Sequence, residues 1–193
     1  AAPGWDLYML KAVRSTFPDI TLHIDCNSGY TLDDLPLFKQ IDKLNLAFIE
    51  QPLHWNDIVD HAELAREIET PICLDETIHS VKAAEQALSI DACKYINIKP
   101  GRVGGLYNSK QIHDLAENSG VPVWVGGMLE SALGGAICIE LATLSNFKYP
   151  GDLFPSSRFY VQDLCDPPNE LTERNTFKPF DGGLPEPNPE RLA

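Results

Sequence analysis

The chain has 193 residues, enough for one sizeable domain with a packed core, and its apolar (44%) and charged (22%) fractions are ordinary for a globular protein. A formal net charge of −13 argues against a nucleic-acid or anionic-membrane partner, since both need clustered Lys and Arg. No apolar run approaches a membrane span, the first residues do not read as a signal peptide, and five scattered cysteines without CxxC or zinc spacing read as reduced packing residues of a cytoplasmic protein.

The opening Ala1-Ala2-Pro3-Gly4-Trp5 reads as a loop leaving an earlier strand. Apolar spacing at Leu7, Leu10, Val13 and Phe17 predicts a helix over 6–17, stopped by Pro18. A strand over 21–24 follows, then the loop Asp25-Cys26-Asn27-Ser28-Gly29. Thr31 caps a helix reaching about residue 44, with Asp33 and Asp34 at its positive end. A strand over 46–50 stops at Gln51-Pro52, and a polar-faced helix covers 57–68. The unit then repeats: strand 72–74 and helix 80–88, then strand 95–98 ending at Lys99-Pro100-Gly101 and a helix from Gly104-Gly105 to about 117. Strand 121–125 ends at Gly126-Gly127-Met128, and a helix over 131–143 follows. A sixth strand is expected around 147–153. Beyond it Pro, Asn and Gly predict an irregular tail over 155–193, with a hairpin near 177–180.

Alternating strands and helices at this spacing imply right-handed crossovers and a parallel sheet. An open doubly wound sheet and a shortened (β/α) barrel both fit. No Gly-x-Gly-x-x-Gly turn follows a strand, and each strand end carries a polar residue, as on the C-terminal face of a barrel. The expected architecture is therefore a truncated barrel over 1–154 followed by the tail.

Three apolar runs end in an acid, and Asp25, Glu50 and Asp75 recur at an interval of 25 residues, with Lys99 ending the next run. Carboxylates on neighbouring strand ends would repel and raise one another's pKa unless a cation joins them. Hard oxygen donors suit magnesium, with manganese the alternative. Lys99, near a dication and partly desolvated, suits proton transfer at carbon. His23 is read as facing away from the acids, against a helix, and His54 and His79 as loop residues.

Ile24-Asp25-Cys26-Asn27, Phe48-Ile49-Glu50-Gln51-Pro52, Cys73-Leu74-Asp75-Glu76-Thr77 and Asn97-Ile98-Lys99-Pro100-Gly101-Arg102-Val103-Gly104-Gly105 resemble the enolase superfamily, and within it the muconate-lactonizing subgroup. Ala2-Pro3-Gly4-Trp5-Asp6, Trp124-Val125-Gly126-Gly127-Met128-Leu129-Glu130 and Tyr149-Pro150-Gly151-Asp152 resemble its o-succinylbenzoate synthase and N-acylamino acid racemase branch. The resemblance runs from about residue 2 to 166. It implies a partial TIM-type barrel, about strands three to eight of a (β/α)₇β barrel without the capping domain and first strands. It also implies Asp25, Glu50 and Asp75 as Mg²⁺ ligands, Lys99 as the acid/base or electrostatic lysine, and Glu76 as that lysine's partner. Asn27, Gly127 and Met128 would lie near a small carboxylate substrate.

The activity implied is Mg²⁺-assisted dehydration through an enediolate in menaquinone biosynthesis, with N-acylamino acid racemisation as the alternative. The family's Lys-x-Lys motif precedes the first residue here, so the chain alone is expected to fold poorly or act weakly, or to be a non-catalytic metal-binding fragment. Its partner would be the missing N-terminal half or another copy. Gly134-Gly135-Ala136 departs from the Gly-x-Gly-Arg of many relatives, which bears on acyl specificity. Gly-Gly-Met stands where mandelate racemases carry a histidine, and Asp152-Leu153-Phe154 lacks the second acid of dipeptide epimerases.

Overall fold

The computed structural model describes residues 4–192. Ala2 and Pro3 of the Pro-Gly-Trp motif, and the start of the expected opening loop, lie outside them. The order is α1 (Asp6–Thr16), β1 (Ile24–Asp25), α2 (Leu35–Ile41), β2 (Ile49–Glu50), α3 (Ile58–Glu67), β3 (Ile72–Leu74), α4 (Val81–Ser89), β4 (Tyr95–Ile98), α5 (Pro100–Val103), α6 (Leu106–Asn118), β5 (Val123–Val125) and α7 (Ala132–Leu141). The five strands pair in parallel, in the spatial order β1-β2-β3-β4-β5. A doubly wound sheet reverses its strand order at a switch point; this one does not, so right-handed crossovers lay every helix on one face, as in a barrel wall.

The two faces bury different things. Outward residues Ile24, Ile49, Ile72, Leu74, Ile96, Ile98, Val123 and Val125 pack with helical Leu10, Phe38, Leu64, Ala84, Ala87 and Ile112 in the main core. The inward face carries a smaller cluster of Phe48, Cys73 and Trp124, with Tyr95 and Tyr149 against it. Side chains that begin each helix fix its start. Asp57 accepts the N–H of Asp60, Ser80 that of Ala83, and Ser131 that of Gly134. At Thr31 the helix expected as one piece divides: a capping box with Asp34 opens a 3₁₀ turn (Leu32–Asp34), α2 starts beside Pro36, and a second 3₁₀ turn (Asp42–Leu44) ends at Asn45 with φ +52°.

Three expectations are corrected. The segment 147–153 forms no continuous strand; it makes isolated parallel bridges, Val123 with Phe147 and Gly126 with Asp152. Pro150 between them lacks an N–H, which interrupts the ladder. No hairpin forms at 177–180. A turn closes earlier, with Thr172 N–H donating to Thr176 O at 2.8 Å and Asn175 at φ +55°, and Pro179 removes a donor that pairing would need. The tail is tied to α7 instead: Ala132 N–H donates to the Asp163 carboxylate at 2.9 Å, and Asn169 Nδ2 donates to Ala132 O at 2.8 Å.

The third correction is His23. It lies two residues before Asp25, so the alternation of a strand puts both on the same, inward face. Its ring stacks on Phe48 with centroids 4.6 Å apart, and Nδ1 lies 3.0 Å from the Tyr149 hydroxyl.

Candidate functional site

The strands deliver their last inward side chains to one rim. Asp25 is the direct register partner of Glu50. Glu50 in turn pairs with Cys73, so Asp75 lies one pleat further along β3, about 6–7 Å by the rise of a strand. Cys73 pairs with Tyr95; continuing that register sets Asp75 opposite Asn97 and Lys99 one pleat beyond. The equal sequence interval thus conceals a stagger, the shear of a barrel with tilted strands.

Each acid has its own surroundings. Asp25 is exposed and accepts from Asn27, N–H at 2.9 Å and Nδ2 at 2.7 Å. Glu50 is 2% exposed and accepts from Asn97 Nδ2 at 2.8 Å. Burial pushes its carboxyl up to about 8, against the lowering effect of the Asn97 hydrogen bond, with Asp25 and Asp75 pushing the same way as burial. Asp75 is fully buried between two cations, Lys99 Nζ at 2.8 Å from Oδ2 and Arg102 Nη1 at 2.6 Å from Oδ1. Glu76 is half-buried; burial and then the neighbouring Asp75 raise its carboxyl, and its Oε2 is enclosed without a hydrogen-bond partner.

A cavity of about 730 Å³ opens between β1 and the segment 149–152. His23, Trp124 and Tyr149 line it together with Asp25, Glu50, Asn97, Lys99 and Asp152. Burial lowers the His23 imidazole, opposed by Asp25 and Asp152; burial raises the Asp152 carboxyl, opposed by Lys99 and His23. Gly127 is buried at the edge of this space, where a Cβ would meet the Asp152 carbonyl at 2.4 Å. Met128 is 60% exposed on the rim beside Leu129, and His54 and His79 are exposed on the loops after β2 and β3.

Asp25, Glu50 and Lys99 therefore share one cavity, with Asp75 behind Lys99. Asn97, Arg102 and the inward His23 were not singled out from sequence. Two-residue parity from Lys99 and from Asp25 identifies Asn97 and His23. Arg102 lies one helical turn beyond Lys99.

The chemistry of the donors fits a divalent cation: three carboxylates at adjoining strand ends, a Glu50 raised by burial and further by Asp25 and Asp75, and the buried Oδ1 of Asn97 without a hydrogen-bond partner. As the side chains stand, the oxygens of Asp25, Glu50 and Asp75 do not all lie within 4.8 Å of one another, since Asp75 is turned to Lys99 and Arg102. Among the described residues that spacing is met by His113, Asp114 and Glu117 on α6. Those groups are otherwise engaged. His113 Nε2 accepts the N–H of Asn146, its Nδ1 faces Asp114, and Glu117 accepts from Ser145.

Comparison with known proteins settles the family. Residues 1–182 match the model described as "Enolase C-terminal domain-like". The chain belongs to that family. An N-succinylamino acid racemase of Amycolatopsis is 49% identical over 166 residues, which are 86% of this chain and 45% of that protein. An o-succinylbenzoate synthase of Geobacillus kaustophilus is 49% identical over 169 residues, 88% of this chain and 45% of the relative. A crystal structure of an enolase-superfamily member from Listeria innocua superposes with a TM-score of 0.84 at 43% identity, covering 90% of this chain and 47% of that one. The chain thus spans about half the length of the relatives it matches. Parallel sheet, sequential strand order and superposition agree with the expected partial barrel of the enolase superfamily.

Proposed function

We propose that this chain carries the metal-binding and lysine-bearing part of an enolase-superfamily active site, and that its reaction is the dehydration that forms o-succinylbenzoate. The observation that carries the reading is the single cavity bordered by Asp25, Glu50 and Lys99, with Asp75 hydrogen-bonded to that lysine. Asp25, Glu50 and Asp75 would hold Mg²⁺, with Mn²⁺ as an alternative, once Asp75 exchanges a cationic partner for the metal. A cation bound there supplies positive charge to a substrate carboxylate as its α-proton is lost.

The chain's own groups do the rest. Lys99 presents its ammonium at the cavity wall, where it holds or moves a proton at the substrate α-carbon or balances the charge that develops beside it. Arg102 keeps Asp75 paired when Lys99 changes protonation state. His23, Trp124 and Tyr149 give the substrate ring an aromatic floor. Asn27 and Gly127 border the acids and cavity, and Met128 stands on the rim, where a substrate side chain can reach it. We place the protein in the cytoplasm, in menaquinone biosynthesis, on its five buried free thiols and on relatives named as synthases. Among the described residues no helix is long and apolar enough to cross a membrane.

N-acylamino acid racemisation is the second reading, favoured by the equal identity to a relative named as a racemase. Both reactions start with removal of the same type of proton. We further propose that an acid/base group facing Lys99 is supplied by a polypeptide segment corresponding to the other half of the relatives. The test is turnover of the cyclohexadiene substrate and of N-succinylamino acids, with and without that segment. Dehydration that needs added Mg²⁺ and exceeds racemisation is expected; a chain that turns over neither in either setting, or is indifferent to the metal, would refute the proposal.

A further inference from the structure

We infer that Gln51 is a positioning residue that holds the loop carrying Asp75 in place beside Glu50. The inference rests on the metal-site reading above. Gln51 is completely buried, yet its backbone has φ +36°, a left-handed conformation that a side chain-bearing residue adopts only at a cost in free energy. The conformation turns the chain so that the Gln51 side chain reaches the next loop. Its Oε1 accepts two backbone N–H groups, those of Asp75 at 3.0 Å and Thr77 at 3.1 Å. Its Nε2 donates to Thr77 Oγ1 at 2.8 Å and Leu53 O at 3.1 Å.

The Gln51 main chain completes the node. Its N–H donates to Cys73 O at 2.8 Å, and its carbonyl accepts the N–H of Ser28 at 2.9 Å. One residue therefore joins the loops that follow β1, β2 and β3: the first two begin directly after Asp25 and Glu50, and the third carries Asp75. A buried amide does this without adding charge: a carboxylate at 51 could accept the same two N–H groups but would face the Leu53 carbonyl, while an apolar side chain would strand both donors.

Gln51→Gly tolerates the left-handed backbone and removes only the side chain, so its effect reports the side-chain bonds rather than relief of strain. Two measurements on the full chain decide the matter: hydrogen exchange at the Asp75 and Thr77 amides, and calorimetric titration with MgCl₂. In Gln51→Gly both amides are expected to lose protection, and Mg²⁺ affinity to fall about 10–100-fold. Gln51→Glu, which keeps the acceptor, should lie between Gly and wild type in both. Arg14→Ala, at the opposite end of the strands, controls for general destabilisation and should leave the affinity alone. Native protection at residues 75 and 77 in Gln51→Gly, or an affinity loss matched by Arg14→Ala, would overturn the role of Gln51. Wild-type protein without saturable Mg²⁺ binding would refute the metal reading instead, and the exchange measurement would still decide for or against Gln51.

Discussion

Replacing Gly126 by alanine tests how tightly the site is packed. A Cβ at 126 would fall 2.2 Å from Asn97 Oδ1, 2.7 Å from Lys99 Cε and 2.8 Å from Asn97 Nδ2. All three are far inside van der Waals contact, and Asn97, at 1% exposure, has nowhere open to swing. The amide must therefore leave Glu50, to which it donates at 2.8 Å. Overpacking of a core position costs about 1–3 kcal/mol and a lost hydrogen bond about 1 kcal/mol, so the variant should lose about 2–4 kcal/mol. Urea unfolding would show this as a lower midpoint with an unchanged slope. A second readout follows from the same displacement. The Asn97 hydrogen bond lowers the Glu50 carboxyl, so its removal should drive that group further up from about 8, visible in a ¹³C titration of the Glu50 side chain. Combining Gly126→Ala with Asn97→Ala should restore the overpacking share and leave Glu50 shifted. Stability within about 0.5 kcal/mol of wild type, a margin typical of neutral substitutions, together with an unmoved Glu50, would refute the packing argument.

Lys99→Ala should cut turnover of either substrate class by about 10²–10⁴-fold, and Lys99→Arg by the same order, since arginine keeps the charge but does not exchange its proton near neutrality; unimpaired turnover in the alanine variant would make Lys99 structural. Glu50 is raised in the fold from 4.5 to about 8, so its contribution to stability is whole below 4.5 and is lost as the pH rises through about 8. Unfolding free energies of wild type against Glu50→Gln across that window should show the wild type losing ground as pH increases, and an opposite slope would contradict the assignment. Arg14 donates to the carbonyls of Phe17, Pro18, Ile20, Leu44 and Asn45 at the far end of the strands. Arg14→Ala should cost about 1–3 kcal/mol in unfolding experiments and leave turnover per folded molecule unchanged.

The alternation of apolar runs with amphipathic stretches made the parallel (β/α) wall legible, because helix and strand periods differ and each segment kept to one of them. Asp25, Glu50 and Lys99 were legible for a related reason: a charge ending an apolar strand has only the rim to occupy. What was hidden depends on register. The interval of 25 residues says nothing of the offset between strands, and pairing of Glu50 with Cys73 moves Asp75 a pleat onward. That offset comes from strand tilt, which no local pattern encodes. His23 was misplaced through the parity of a single strand, although counting by twos from Asp25 finds it. Gln51 gave no signal, because its role lies in a left-handed backbone and partners 24 and 26 residues away. The edge segment 147–153 carries strand-like residues, but Pro150 leaves it with bridges only.

The rim is organised by neutral amides while its charges are left unbalanced. Gln51 and Asn97 satisfy backbone donors and one carboxyl, and neither adds charge. Around them stand Asp25, Glu50, Asp75, Glu76 and Asp152, and among the described residues Lys99 and Arg102 are the cations paired to the group, both through Asp75. Burial is the first cause that raises Glu50, Glu76 and Asp152, opposed at Glu50 by the Asn97 hydrogen bond and at Asp152 by Lys99 and His23; Asp25 and Asp75 push all three the same way as burial, so the excess of acids adds to it. Such an excess does not help a protein fold; apolar residues of similar volume would serve stability at least as well. On the reading proposed above, a divalent cation would complete it. On that reading the buried amides would hold the acids in place before the cation binds, and departures from locally favourable structure at Gln51 are expected where function constrains the chain.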